Sequence, residues 1–203
     1  VYRMVREQGG VCISDEVQVG FGRLGSWNWG FEKYGVVPDM VILGKPMGNG
    51  HPIGAVVTTA EIAAVFDSGP EFFSSFGGNP VSCAAGHAVL KVLEEEGLRD
   101  HAHKTGEYLK QGFTALSNRY KSLADVRGDG LFLGVELLDP DGNPDTILAQ
   151  KLKNGLRESH ILIGTDGPGD NVLKIKPPLP FNRDNSDELL SHTTRILKNL
   201  GVS

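Results

Sequence analysis

The chain has 203 residues, a hydrophobic fraction of 39% and a charged fraction of 22%, the composition of a globular protein with room for one large or two small domains. Its net charge of −5 gives no electrostatic reason to expect nucleic acid or an anionic membrane as a partner. No apolar run approaches the roughly 18 residues of a membrane span, and no basic segment followed by an apolar one opens the chain as a secretory signal would.

Residues 1–8 carry a helical pattern stopped by Gly9-Gly10. Val1 already lies inside that pattern, so the chain reads as a piece of something longer. Residues 11–14 are a short apolar, β-branched run that ends at Asp15, and they read as a first strand. Residues 16–38 are rich in glycine and aromatics (Phe21, Trp27, Trp29, Phe31, Tyr34) and read as a long functional loop with room for a helical turn. Residues 40–43 are a second strand that reaches Lys45 through Gly44, and residues 53–59 are a third. Runs this short and uninterrupted suit strands buried on both faces of a parallel sheet, where ligands bind beyond the carboxyl ends. A short helix is expected at 61–66 and a loop at 72–78. Asn79-Pro80 reads as the N-cap and first-turn proline of a helix running to Glu96, with Gly97 as its stop.

A second unit opens near Leu98. Residues 100–120 have helical apolar spacing. Residues 126–138 contain a strand, LFLGVELL, after the turn RGDG, and residues 139–144 are a turn cluster. A helix at 146–159, a strand at 161–163, a Gly/Asp loop at 164–170, a strand at 172–175 and a closing helix at 184–200 complete the chain. The expected fold class is α/β: a mostly parallel sheet with helices over residues 1–97, then a small α+β domain over residues 98–203. Cys12 and Cys83 do not suggest a disulfide framework, and both are expected to be buried, inert thiols in a reduced cytoplasmic protein.

Several local matches have plain readings. Gly20, Gly22 and Gly25 satisfy GxGxxG, but they do not directly follow the strand, and the continuation SWNWG has no helical apolar stripe. Gly44-Lys45-Pro46 lacks the spacing of a P-loop. His101 and His103 diverge on a helix, and no metal set is expected. His51 reads as a loop histidine satisfied by backbone, with contact to a bound cofactor or substrate as the alternative. Asp15 and Lys45 taken alone read as a strand-end ion pair. Yet a lysine held between Gly44 and Pro46 at the end of an apolar strand is placed where desolvation can make it a nucleophile that forms a Schiff base. A carboxylate nearby is what holds a pyridinium nitrogen protonated.

At these residues the chain resembles a known family. SDEVQVGFGRLG at 14–25, Pro38-Asp39, Gly44-Lys45, Gly48-Asn49-Gly50, FGGNP at 76–80 and VRGDG at 126–130 resemble, in order, segments of the class III (ornithine/ω-amino) aminotransferases. The resemblance covers nearly the whole chain. It implies a fold-type I subunit dependent on pyridoxal 5'-phosphate, of which residues 1–97 are part of the cofactor-binding large domain and residues 98–203 the small carboxyl-terminal domain. It further implies that Lys45 is the Schiff-base lysine and proton shuttle, that Asp15 pairs with the pyridine nitrogen, that Val17 packs on the ring and that Gln18 reaches the ring hydroxyl. Ser75 stands where the family has a threonine that donates to the cofactor phosphate of the neighbouring subunit. The implied assembly is a homodimer with shared active sites.

One position departs from the pattern. Where the family carries an arginine that clamps the substrate α-carboxylate, VLKIKPPL at 172–179 has Lys174. Lysine cannot make that planar fork. Lys174 suits a substrate that carries a phosphate or lacks the α-carboxylate, and residues 159–178 together with GNGHP at 48–52 resemble the phospho-lyase branch, which acts on O-phosphoethanolamine or 5-phosphohydroxylysine. The plain alternative for Lys174 and Lys176 is a pair of solvated strand charges. The reaction expected is β-elimination of phosphate from a small phosphorylated amine. The alternatives are transamination of an ω-amine or amino acid with a 2-oxo acid, and a piece that binds cofactor poorly without an amino-terminal half.

Overall fold

A computed structural model describes residues 1–202 of the chain. The chain divides after Arg99 into two compact units. No described helix is long and apolar enough to cross a membrane.

The first unit holds α1 (Tyr2–Glu7), β1 (Ile13–Asp15), β2 (Met40–Leu43), β3 (Ala55–Thr58), α2 (Ala60–Asp67) and α3 (Pro80–Glu95), with 3-10 turns at Gly30–Tyr34 and Lys45–Gly48. The sheet order is β1-β2-β3. β1 runs parallel to β2, Asp15 lying opposite Ile42, whereas β3 returns antiparallel with Val57 opposite Val41. The reason is the connection. From Leu43 to Ala55 the chain has a 3-10 turn and no crossover helix, and a parallel return needs a crossover of a dozen or more residues. Among the described residues the strands are not buried on both faces as expected: Ile13, Ile42, Val56 and Val57 are all exposed, since a sheet face is buried only by another layer packed on it. Cys12 is buried, but Cys83 is exposed on α3, which corrects the expectation for that thiol.

The caps follow local chemistry. Asn79 accepts the Ser82 N–H at 2.9 Å, and Pro80 occupies the first helical turn, where a missing N–H costs nothing. Thr59 caps α2 in the same way through Ile62.

The second unit contains most of α4 (Leu98–Arg119), then β4 (Leu123–Asp129), β5 (Phe132–Leu137), α5 (Thr146–Glu158), β6 (Gly164–Asp166), β7 (Val172–Ile175) and α6 (Arg183–Asn199). Its sheet is wholly antiparallel, in the order β4-β5-β7-β6. β5 alternates half-buried and buried residues, sending Leu133, Val135 and Leu137 into a core with Leu109 and Phe113 of α4, Leu152 and Leu156 of α5, Leu173 and Ile175 of β7, and Leu189 and Leu197 of α6. Each side chain so buried contributes about 1.5–3 kcal/mol.

Two expectations change in this unit. RGDG is not the turn: Arg127, Gly128 and Asp129 belong to β4, and the chain reverses at Gly130-Leu131. Residues 161–163 are not a strand, and the pairing starts at Gly164 inside the expected loop.

Candidate cofactor site

Because β1 and β2 are parallel, their carboxyl ends share one edge of the sheet. Asp15 is the last residue of β1, and the Glu16 N–H continues the ladder to the Ile42 carbonyl at 3.0 Å. Lys45 follows β2 after Gly44 and opens the 3-10 turn. Its φ is +39°, a left-handed conformation that side chains rarely adopt.

Val17 lies between the two. Its N–H donates to Asp15 Oδ1 at 3.0 Å, which fixes the carboxylate orientation. Its Cγ2 would be 3.7 Å from a β-carbon on Gly44, the residue before Lys45. Gln18 sits half-buried in the turn that the Gly20 N–H closes on the Glu16 carbonyl at 3.0 Å. Asp15, Val17, Gln18 and Lys45 thus gather on one edge. Asp15 and Lys45 are both exposed, so the described residues do not supply the desolvation expected at Lys45.

Sequence reasoning missed Glu16. It is fully buried, and its carboxylate accepts from Gly30 N–H at 2.7 Å, Phe31 N–H at 3.1 Å and Ser14 Oγ–H at 2.8 Å. Glu16 thereby folds the aromatic segment back onto the residues beside Asp15. The acidic pair Asp15-Glu16 was the only signal in the sequence, since a carboxylate next to a strand end does not announce partners fourteen residues away. The GxGxxG glycines fall in successive turns, with Gly22 and Gly25 at φ of +74° and +75°, and open no helix. Trp29 packs edge-on against buried Phe21 at 5.1 Å.

Ser75 is exposed in the loop between α2 and α3, ahead of the Asn79 cap. That loop ends where the unpaired amides of a 16-residue helix favour an anion. His51 is bonded through its side chain to Ser82 rather than to backbone, Nε2 to Oγ at 2.7 Å.

Lys174 belongs to the second unit. It sits on β7 and pairs with Asp166 of β6 at 2.6 Å. The Lys174 ammonium, followed by the Gly167 N–H, holds the Asp166 carboxyl below its usual range. Lys174 and Lys176 line a groove of about 670 Å³ with His160, Pro177, Phe181 and Glu188. In the same unit His101 Nε2 lies 2.8 Å from the Phe181 carbonyl, to which it donates.

Residues 1–197 match the family model described as Aminotransferase class-III. A Drosophila melanogaster protein named alanine–glyoxylate aminotransferase 2-like is 52% identical over 194 residues, covering 94% of this chain and 39% of the relative. A Caenorhabditis elegans protein named ethanolamine-phosphate phospho-lyase homolog 1 is 43% identical over 198 residues, covering 95% of this chain and 42% of the relative. Among solved structures, an Arthrobacter phospholyase in complex with phosphoethanolamine superposes with a TM-score of 0.94 at 46% identity, over 97% of this chain and 47% of that one. The chain therefore spans about two fifths of the length of these curated relatives. With the fold shared at that level and the match running through both units, the chain belongs to the class III aminotransferase family and has the fold of the fold-type I pyridoxal-phosphate transferases.

Proposed function

We propose that this chain is the carboxyl-terminal part of a pyridoxal 5'-phosphate enzyme whose reaction is β-elimination of phosphate from a phosphorylated primary amine such as O-phosphoethanolamine. The observation that carries this choice is Lys174, a single ammonium on β7 at the position where the resemblance implies a forked guanidinium. A point charge suits a phosphate and forfeits the bidentate grip on a carboxylate. The Arthrobacter neighbour, solved with phosphoethanolamine, supports the same choice.

The donor set fits the cofactor. Asp15 offers a carboxylate already oriented by Val17, Val17 an apolar side chain beside Gly44, Lys45 an amine on the same edge, and Ser75 a hydroxyl ahead of a helix start. When bound, pyridoxal 5'-phosphate supplies an aldehyde that condenses with amines and a protonated ring that takes up the electron pair of a broken C–H bond. Lys45 would hold that aldehyde through Nζ, and as a free amine it would be the base for the proton on the substrate carbon bearing nitrogen. Asp15 would keep the proton on the ring nitrogen, Val17 would pack on the ring face and Gln18 would bond the ring hydroxyl. Ser75 would donate to the cofactor phosphate of a second copy, and the working unit would then be a homodimer with shared sites. Lys174 holds the substrate phosphate until the adjacent C–O bond breaks. Phosphoethanolamine and water then leave as acetaldehyde, ammonia and phosphate. Two free thiols, Cys12 and Cys83, favour a reducing compartment such as the cytoplasm.

Transamination to a 2-oxo acid is the second reading, and the 52% identity to the aminotransferase 2-like protein favours it. Phosphate release from a panel of phospho-amines, set against pyruvate-dependent amino transfer, decides between the two in the full-length protein. The expected result is phosphate release that Lys45→Ala abolishes. Amino transfer without phosphate release overturns the lyase reading.

A further inference from the structure

Lys45, the strained residue that follows Gly44, begins a succession of tight turns. Met47 N–H bonds the Gly44 carbonyl at 3.0 Å, Asn49 N–H the Pro46 carbonyl at 3.1 Å and His51 N–H the Gly48 carbonyl at 3.0 Å. Asn49 and Gly50 are also left-handed, at φ of +45° and +103°. Such a backbone persists only where its surroundings over-determine it. Helix α3 supplies that constraint at two points. Buried Gly86 lies against the Met47 carbonyl, 3.7 Å from where a β-carbon would stand, so the helix approaches the turn closely. One turn nearer the helix start, Ser82 Oγ meets His51 Nε2 at 2.7 Å.

The second contact continues. Asn79 Oδ1 accepts the Ser82 N–H at 2.9 Å, so the other side-chain atom of Asn79 is its amide nitrogen. That nitrogen donates to the Phe76 carbonyl at 2.7 Å and to Ser82 Oγ at 2.9 Å. Ser82 Oγ thus accepts from Asn79 Nδ2 and shares a second hydrogen bond with His51 Nε2, whose direction the imidazole tautomer sets. An unbroken path therefore runs from the Lys45 turn through His51, Ser82 and Asn79 to Phe76, the neighbour of Ser75 and the start of the Gly77-Gly78 loop.

We propose that His51 is a positioning residue for Lys45: with Ser82 it fastens the strained Lys45 turn to the start of α3, so that the amine and the Ser75 loop are set by one network. The proposal rests on the reading of Lys45 as the cofactor lysine. His51 touches neither cofactor nor substrate in this role. It acts through the backbone of the turn.

The test uses the full-length holoenzyme and its His51→Ala, Ser82→Ala, double and His51→Gln variants. Two readouts are independent of turnover: the rate at which pyridoxal 5'-phosphate dissociates, and the fraction of Lys45 trapped by borohydride. Each alanine variant is expected to release cofactor about tenfold faster, the scale of one lost hydrogen bond. The double variant is expected to match Ser82→Ala, because His51→Ala removes nothing that Ser82→Ala has not already removed. His51→Gln, which carries a polar atom near the Nε2 position, is expected to stay within about threefold of the parent. The thermal midpoint of the cofactor-free variants is expected to fall by no more than about 2–4 °C, the scale of one lost hydrogen bond, and a larger fall marks general destabilisation instead of positioning. Parent-like release and trapping in His51→Ala, or strictly multiplicative effects in the double variant, overturn the proposal. A parent protein with no borohydride-trapped Lys45 overturns the cofactor reading itself, which is a distinguishable result.

Discussion

Lys174 Nζ lies 2.6 Å from Asp166 Oδ2 across the β6–β7 pair, with the lysine side chain 31% and the aspartate side chain 60% exposed. The lysine proposed to hold the substrate phosphate thus has a competing anion beside it. Asp166→Asn removes that competitor while keeping the shape. The expected outcome is a KM for the phospho-amine about two- to fivefold lower, the range of an exposed ion pair, with kcat little changed. Lys174→Ala is expected to raise KM by tenfold or more. Steady-state kinetics on both variants checks the assignment, and an unchanged KM in Lys174→Ala removes Lys174 from the substrate site.

The pair also shows which contacts a sequence conceals. Asp166 falls in a Gly/Asp stretch that reads as a loop, so no register in the sequence places it beside Lys174. The residues 161–163 misled because Ile161 and Ile163 pack on the core while Leu162 is 83% exposed, an alternation that imitates a strand without any ladder. RGDG misled because both its glycines have positive φ, Gly128 at +119° and Gly130 at +52°, and only the second turns the chain. Gly128 is a close approach instead: a β-carbon there would lie 2.1 Å from the Phe132 carbonyl oxygen. Where the determinant is local, the sequence was legible. The Asn79-Pro80 start of α3 needs only residues 79–82, and Lys45 is marked by its own neighbours Gly44 and Pro46.

Glu16 gives a prediction of stability rather than chemistry. Its Oε1 accepts from both Ser14 and Phe31, and its Oε2 from Gly30, so the carboxylate has no side that tolerates a donor. In Glu16→Gln the amide nitrogen must face one of those donors inside a fully buried site. The expected cost is about 1–3 kcal/mol, read as a lower urea midpoint. A variant as stable as the parent shows that the aromatic segment holds its place without Glu16.

Asp39 predicts a pH dependence. Its carboxylate accepts from Arg6 Nη2 at 2.9 Å and from the Cys12 N–H at 2.7 Å. Those hydrogen bonds, Arg6 first, hold Asp39 below the usual carboxylate range. A depressed folded value means that the contribution is complete above the unfolded value of about 3.9 and is lost as pH falls through the folded value. Asp39→Asn should therefore melt below the parent at pH 7 and converge with it as the solution is acidified. A gap that stays constant from neutral to acid pH assigns the effect to something other than this ionisation.

Gly106 and Gly112 lie on the same helix and make opposite predictions. Alanine at either position gains the same helix propensity, about 0.8–1 kcal/mol, so any difference between the two variants reports what the new methyl meets. At Gly106 a β-carbon would stand 2.1 Å from the Gly130 oxygen and 2.3 Å from its carbonyl carbon. That neighbour is the left-handed turn joining β4 to β5, and a backbone so constrained on both sides cannot step aside. At Gly112 the nearest atom is Leu190 Cδ1 at 2.3 Å, the far end of a flexible, half-buried side chain that can change rotamer. Gly106→Ala is expected to destabilise by at least the 1–3 kcal/mol typical of overpacking. Gly112→Ala is expected to fall within about 1 kcal/mol of the parent, the propensity gain offsetting most of the repacking. Urea unfolding of both variants, compared at equal slope, measures the difference. Equal losses would mean that the Gly130 turn yields as readily as a leucine side chain.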